Sequence, residues 1–201
     1  MVKVTVYVEG GGDTELLKSD CRKAFRKFVE SAEIMGVKFI SGGGRNQTHD
    51  SFCTALKKPR SDEVVLLLLD AEGPLKPGTP LWTHLASRLG NGLAKPDGAD
   101  EEHLFLMVEC METWFLACPS VLEDVFKNDF NPGALSKWPN LEQVPKQTIY
   151  DALEKATSGR YKDKSKGRYS FEILARLDAG EVAQRCPNAA RFLDRLRKHR
   201  S

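Results

Sequence analysis

Four acidic residues stand at or just beyond the ends of apolar segments of this chain. They are Glu9, Asp70, Glu72 and Glu112. In open sheets of parallel strands, binding sites form outside the carboxyl ends of the strands, so we expect these acids to meet at one edge. Carboxylates that converge repel one another, and a shared proton or a cation must offset the repulsion. Hard divalent cations such as Mg²⁺ or Mn²⁺ take oxygen ligands of this kind, which predicts a metal site. Taken singly, each acid is better explained as a surface residue at a strand end.

A fifth acid, Asp13, lies four residues after Glu9, beyond the glycines 10–12. Two roles remain open for it. Asp is a common N-cap, and a helix is expected to begin here. If the glycines fold the chain back over the site, Asp13 becomes a further metal ligand.

Two basic features are candidates for binding phosphate. The glycines 42–44 precede Arg45, and such a turn can present backbone N–H groups and a guanidinium to an anion. Further along, a basic stretch lies between Tyr161 and Tyr169, and a stretch of this kind suits phosphate contact with base stacking. Its cations are Lys162, Lys164, Lys166 and Arg168. A flexible turn and a solvated loop are the alternatives.

Charge is divided unevenly along the 201 residues, although the formal net charge is only +2. Residues 155–201 carry thirteen Lys and Arg against five Asp and Glu, whereas residues 1–154 are net acidic. The basic residues either coat the solvent face of the last helices or serve a protein that handles a polyanion.

Composition excludes several classes of protein. Hydrophobic residues make up 41% and charged residues 29%, as in an ordinary globular protein. No apolar run is long enough to span a bilayer, and the first residues lack the layout of a signal peptide, so we expect a cytoplasmic protein without membrane contact. The five cysteines form no C-x-x-C, and the four histidines show no zinc-binding spacing. The phosphate-binding pattern of P-loop ATPases is absent as well.

Apolar patterning predicts the fold class. Alternating or continuous apolar segments at 2–8, 37–40, 64–69 and 104–108 read as strands, and helical periodicity separates them. This order predicts an α/β, Rossmann-like, mostly parallel four-stranded sheet with helices on both faces. Strand signals stop near residue 127. We therefore expect an α/β core over 1–126 and a basic helical C-terminal extension over 127–201, packed on that core as one structural domain.

Several short motifs together resemble those of a known group. Val8-Glu9-Gly10 with Asp13 is similar to the first Toprim motif, and Asp70-Ala71-Glu72-Gly73 stands where Toprim domains carry Asp-x-Asp. The segment 111–117, Met-Glu-Thr-Trp-Phe-Leu-Ala, resembles a signature of a small prokaryotic Toprim-like family. That family is related to the OLD nucleases and is often encoded beside ABC-type ATPases in defence gene clusters.

Further matches extend the resemblance over nearly the whole chain. They are Gly43-Gly44-Arg45, the set Glu142, Pro145 and Lys146, and a Tyr-x-Lys stretch before the helical tail. Two positions depart from the pattern. Glu72 replaces an Asp, which changes one metal position, and Cys118 replaces an Asp expected after Leu-Ala.

The resemblance implies nucleic-acid chemistry, most economically a Mg²⁺- or Mn²⁺-dependent nuclease of an anti-phage defence system. It assigns catalysis to the four strand-end acids together with Lys146, and DNA or RNA and an ABC-type ATPase as partners; self-association is left open. A non-catalytic Toprim module that binds the ATPase or nucleic acid is the alternative, which the two departures favour. An unrelated small-molecule phosphotransferase or phosphatase is a third hypothesis.

Overall fold

A computed structural model describes residues 2–58, 62–89, 93–162 and 166–199. Its centre is a four-stranded sheet in the order β2-β1-β3-β4, in which every pairing is parallel. The strands are β1 (Lys3–Val8), β2 (Lys38–Ser41), β3 (Glu63–Asp70) and β4 (Leu104–Met107). The predicted fold class, a four-stranded parallel α/β sheet followed by a C-terminal helical stretch, is confirmed.

Helices connect the strands and form the C-terminal part. They are α1 (Glu15–Glu30), α2 (Arg45–Leu56), α3 (Leu81–Leu89), α4 (Glu112–Phe115), α5 (Pro119–Phe126), α6 (Lys146–Ala156), α7 (Lys166–Leu174), α8 (Ala179–Arg185) and α9 (Pro187–Lys198). Three short 3₁₀ turns lie between α5 and α6. No helix in the described residues has the length and apolarity to cross a membrane.

The apolar spacing of Phe171, Leu174 and Leu177, and then of Ala189, Leu193 and Leu196, indicates two helices near the end of the chain. The described residues 166–199 form three, α7, α8 and α9. The additional helix is α8, which is capped by Asp178: its carboxylate accepts a hydrogen bond of 2.9 Å from the Glu181 N–H. Pro187 then begins α9, as proline commonly does at a first helical position. Side-chain capping therefore set boundaries that hydrophobic periodicity did not reveal.

The two faces of the sheet are covered by different helices. Successive residues of β3 alternate between them, so that Leu66 and Leu68 join one buried cluster while Leu67 and Leu69 join the other. The first cluster includes residues of α1 and of α4 to α9, and the second includes residues of α2 and α3. The uninterrupted apolar run of β3 is thus explained by burial on both faces.

The last helix protects the edge strand β4. The rings of Phe105 and Phe192 lie 5.5 Å apart, and the Arg191 guanidinium lies 4.6 Å from the centre of the Phe105 ring. Arg191 also donates a 3.0 Å hydrogen bond to the backbone carbonyl of Leu104. Because an uncovered edge invites pairing with other chains, α9 contributes protection as well as apolar burial.

Candidate functional site

The strand order creates a crevice between β1 and β3. The chain passes from β1 to β2 on one side and then crosses to β3 on the other side of β1, so the connections diverge at this point. In open α/β sheets, ligands bind outside the carboxyl ends of the strands at such a switch point. Glu9 directly follows β1, and Asp70 is the last residue of β3. The Asp70 N–H donates a 3.3 Å hydrogen bond to Glu9 Oε2, which holds the two acids side by side.

The two glycine turns after β1 and β2 are joined. The Gly10 N–H donates a 2.9 Å hydrogen bond to the Gly43 carbonyl. Gly11 and Gly43 both have positive φ, +85° and +80°, and a Cβ on either would lie within 2.7 Å of backbone atoms. Side chains are excluded at both positions, and the joined turns bring Glu9 and Arg45 to the same edge.

Arg45 lies among the acids as an internal cation. Its Nη2 donates a 2.7 Å hydrogen bond to the Asp70 carbonyl and lies 3.2 Å from Glu9 Oε2 and 3.5 Å from Glu72 Oε1. Only 10% of the Arg45 side chain is exposed. The predicted role of Arg45 in binding phosphate stays a prediction, and in the free protein its guanidinium neutralises carboxylates.

Lys146 supplies a second cation from the first position of α6. Its Nζ donates a 2.6 Å hydrogen bond to Glu72 Oε2, and its backbone N–H donates one of 2.9 Å to Glu109 Oε2. Burial alone would lower the pKa of Lys146, but the hydrogen bond to Glu72 and the charge of Asp70 raise it overall. Lys146 is therefore held in its charged form beside the acids. We call Glu9, Arg45, Asp70, Glu72 and Lys146 the rim cluster.

Glu112 belongs to a separate set of contacts. It is 5% exposed, and its two oxygens accept hydrogen bonds from the hydroxyls of Tyr161 (2.9 Å) and Tyr150 (3.2 Å). The Tyr161 hydroxyl also contacts Ser170 Oγ at 2.8 Å. Burial and then the charge of Glu112 raise the pKa of both tyrosines, so both remain protonated donors. We call these four residues the tyrosine cluster.

A cavity of about 400 Å³ opens between the two clusters. Both proposed catalytic acids at the switch point, Glu9 and Asp70, line it, and so do Lys146 and Glu112. The rest of the wall consists of Gly10, Gly11, Gly12, Leu17, Gly43, Met107, Met111, Tyr150, Gly167, Ser170 and Phe171. Of the four acids predicted at strand ends, Glu9, Asp70 and Glu112 line this cavity, and Glu72 does not.

The electrostatics of this site disfavour ionised carboxyls. Burial and then the charges of Glu9 and Glu112 raise the pKa of Asp70 well above its usual range. Burial also raises the pKa of Glu9, and the Arg45 guanidinium only partly opposes this. The Met111 N–H donates a 2.9 Å hydrogen bond to Asp70 Oδ1, which is too little to stabilise the charge fully. A proton or an added cation would relieve this repulsion.

The donor set fits a metal ion with few protein ligands. Among the described residues, no three His, Cys, Asp or Glu side chains are arranged to hold a metal ion together. Mg²⁺, however, commonly takes one or two carboxylates and keeps water or substrate phosphate in its other positions. Glu9 and Asp70 are adjacent oxygen donors on the cavity wall and suit that arrangement. Glu72 is engaged with cations at both oxygens.

Other predicted site residues lie outside this cavity. Asp13 is exposed, and the N-cap of α1 is Thr14, whose hydroxyl accepts from the Leu17 N–H, so the N-cap interpretation of Asp13 is wrong. Lys162 forms an exposed ion pair with Glu154 at 3.4 Å. Lys164 and the side chains of Lys166 and Arg168 lie outside the described residues.

Burial decides what two residues noted in the sequence can do. Base stacking was one of two interpretations of the stretch that begins at Tyr161, but Tyr161 is 1% exposed and its hydroxyl donates to Glu112. Cys118, which replaces an Asp of the motif pattern, is buried among apolar residues and contacts the Asp178 carbonyl. Burial raises the pKa of the Cys118 thiol to about 12, so it remains protonated. The replacement at Cys118 therefore removes no contact from the cavity.

Sequence reasoning missed residues that hold the site together. Glu109, which anchors the start of α6, lies two residues beyond β4, so the strand-end rule that identified the other acids applies to it as well. Tyr150 lies four residues after Lys146 on α6, a spacing that places both on one helix face. Ser170 gave no such signal. Glu142, part of the motif comparison, caps α9 instead: both its oxygens accept from Asn188.

Comparisons with known proteins identify a family without a named activity. Neither the curated proteins nor the solved structures contain a significant match to this chain. A family model described as "Domain of unknown function (DUF4276)" matches residues 8–197, a range that includes every residue of both clusters. The chain therefore belongs to the DUF4276 family.

Proposed function

We propose that this protein is a divalent-metal-dependent nuclease of Toprim type that hydrolyses phosphodiester bonds of DNA or RNA. One observation carries the proposal: Glu9 and Asp70 stand side by side at the switch point of a parallel sheet and face a cavity that Lys146 also lines. Perturbed carboxyls in such a crevice are the expected signature of a functional site.

Each residue has a chemical role in this proposal. Glu9 and Asp70 would hold Mg²⁺ or Mn²⁺, and the bound cation would polarise the phosphate and lower the pKa of water. Glu9 or another carboxylate of the site would accept a proton from the attacking water. Lys146 is charged and lines the cavity, where it can stabilise negative charge that develops on the phosphate.

The partners of the proposed nuclease follow from the motif resemblance. We propose that the substrate is a nucleic acid, that an ABC-type ATPase presents it, and that both work in the cytoplasm in anti-phage defence. The excess of basic residues in 155–201 supports a polyanionic partner. The roles of Lys162, Lys164, Lys166 and Arg168 in nucleic-acid contact stay predictions.

A non-catalytic Toprim module is the second candidate. It is favoured by the state of Glu72, whose oxygens are both paired with cations, and by the absence of a three-ligand metal cluster from the described residues. Such a module would bind nucleic acid or the ATPase without cleaving it.

A cleavage assay separates the two candidates. The wild-type chain and Asp70→Asn are incubated with labelled single- and double-stranded DNA and RNA, in Mg²⁺, in Mn²⁺ and in EDTA. Asp124→Asn, an exposed change on α5, is the matched control. The nuclease proposal expects metal-dependent cleavage that Asp124→Asn retains and Asp70→Asn loses by a factor of at least about 100. Binding of nucleic acid without cleavage under every condition, also with the ATPase added, would favour the second candidate.

A further inference from the structure

The carboxylate of Glu72 bridges the two cations of the rim cluster. Its Oε2 accepts the 2.6 Å hydrogen bond from Lys146, and its Oε1 lies 3.5 Å from Arg45 Nη2. An anion held between a guanidinium and an ammonium through two different oxygens matches the layout with which proteins bind phosphate. The carboxylate of Glu72 thus lies between the two cations in the way that a bound phosphate would.

The backbone at Glu72 does not favour a glutamate. Its φ is +57°, in the left-handed region that glycine or asparagine adopts at lower cost. The Glu72 N–H donates a 2.9 Å hydrogen bond to the Glu109 carbonyl, which fixes this conformation. Because this turn would favour glycine, the presence of a glutamate points to a requirement for its side chain.

Arg45 keeps an unused donor next to this contact. Its Nη1 is buried and, in the part of the chain that the structure describes, has no hydrogen-bond partner. Glu72 contacts Arg45 through Nη2 at 3.5 Å, a longer distance than the 2.6 Å of its contact with Lys146 Nζ. A phosphate has more acceptor oxygens than a carboxylate, and it can therefore use donors that Glu72 leaves unsatisfied.

We propose that Arg45 and Lys146 form a phosphate subsite, and that Glu72 fills this subsite in the free protein as a built-in competitor. This rests on the proposed function, because the phosphate would be that of the nucleic-acid substrate. When a phosphate enters, Glu72 turns towards solvent, where 34% of its side chain is already exposed. The exchange leaves both cations paired with an anion and brings the phosphate next to Glu9 and Asp70.

Binding of inorganic phosphate tests the subsite without nucleic acid. Calorimetry is performed on the wild type, on Glu72→Ala and on the isosteric Glu72→Gln, with and without Mg²⁺. Glu123→Ala, an exposed change on α5, is the matched control. If Glu72 fills the subsite nine-tenths of the time, its removal raises the apparent phosphate affinity about tenfold. Phosphate binding that is detectable only in the two Glu72 variants also supports the proposal.

A second substitution tests whether the increase in phosphate affinity depends on the proposed cations. Lys146→Met removes the ammonium, and Lys155→Met, an exposed change on the same helix, is its control. In the Lys146→Met background, Glu72→Ala is expected to give no increase in phosphate affinity, whereas in the Lys155→Met background it gives the full increase. Circular dichroism checks that each variant is folded. If Glu72→Ala does not fold, Glu72→Gln replaces it in the comparison.

Two results would overturn the proposal. One is an unchanged or weaker phosphate affinity in folded Glu72 variants. The other is a loss of Mg²⁺ affinity in Glu72→Gln as large as that in Asp70→Asn, which would make Glu72 a metal ligand. Neither result depends on cleavage, so a subsite that binds phosphate in a protein without nuclease activity would leave this inference standing and refute only the proposed function.

Discussion

The rim cluster and the tyrosine cluster both contribute acids to the wall of one cavity, and the surroundings of these acids differ. In the tyrosine cluster, Glu112 accepts hydrogen bonds from two neutral hydroxyls, so both of its oxygens are satisfied without another charge. In the rim cluster, Asp70 accepts one backbone N–H, and burial and then the charges of neighbouring carboxylates raise its pKa. An acid whose oxygens are hydrogen-bonded stabilises the fold. An acid surrounded by other acids is repelled by them, and a bound cation would relieve that repulsion. The contacts of Glu112 therefore favour a positioning role over the predicted catalytic one.

The largest effect that tests this difference between the clusters is the loss of stability expected on substitution of Glu112. Glu112→Ala removes the acceptor of Tyr150 and of Tyr161 and leaves a buried cavity. We expect a loss of about 3 kcal/mol in the free energy of unfolding, measured by urea denaturation. The exposed Glu123→Ala should change it by less than about 0.5 kcal/mol. A stability loss no larger than that of the control would show that the tyrosine cluster is not structural.

An effect of opposite sign is expected at Asp70. Because the pKa of this carboxyl is raised in the folded protein, its contribution to stability is complete below its unfolded pKa and is lost as the pH rises through the folded pKa. Because asparagine does not ionise, Asp70→Asn does not lose stability as the pH rises, and its side-chain oxygen can still accept from the Met111 N–H. In EDTA, the free energy of unfolding of the variant should equal that of the wild type at about pH 4 and exceed it by roughly 1–3 kcal/mol at about pH 7.5.

Thermal or urea unfolding across this pH range measures the difference, and Asp124→Asn provides the matched exposed change. A wild type that is more stable than Asp70→Asn at neutral pH would mean that Arg45 and Lys146 compensate the charge of Asp70 completely. The proposed distinction between the two clusters would then fail.

The smallest effect concerns the backbone of Glu72. Glu72→Gly and Glu72→Ala both remove the ion pairs to Arg45 and Lys146, but only glycine relieves the left-handed conformation. We expect the glycine variant to be more stable than the alanine variant by about 0.5–1 kcal/mol in urea unfolding. Equal stabilities would indicate that the turn relaxes once the carboxylate is gone, and that the side chain itself imposes the conformation.

Local signals were sufficient for the sheet and for the acids. Val64 to Leu69 is continuously apolar because both faces of β3 are buried, and Glu9 and Asp70 follow from the rule that sites form at carboxyl ends of strands. Pairing across the fold was not predictable in this way. That Arg45 and Lys146 converge on Glu72 depends on how α2 and α6 pack. Tyr161 begins a basic stretch typical of a surface, yet it is buried and its hydroxyl donates to Glu112, 49 residues away in the chain.

The position of α9 has a consequence for how the chain is made. β4 is complete long before α9 leaves the ribosome, and Phe192 of α9 is what covers Phe105. At typical rates of synthesis, this interval lasts on the order of ten seconds. During that time the edge of β4 lacks the cover that α9 provides, and an uncovered strand edge can pair with other chains. The edge of β4 is thus protected only after α9 has been made.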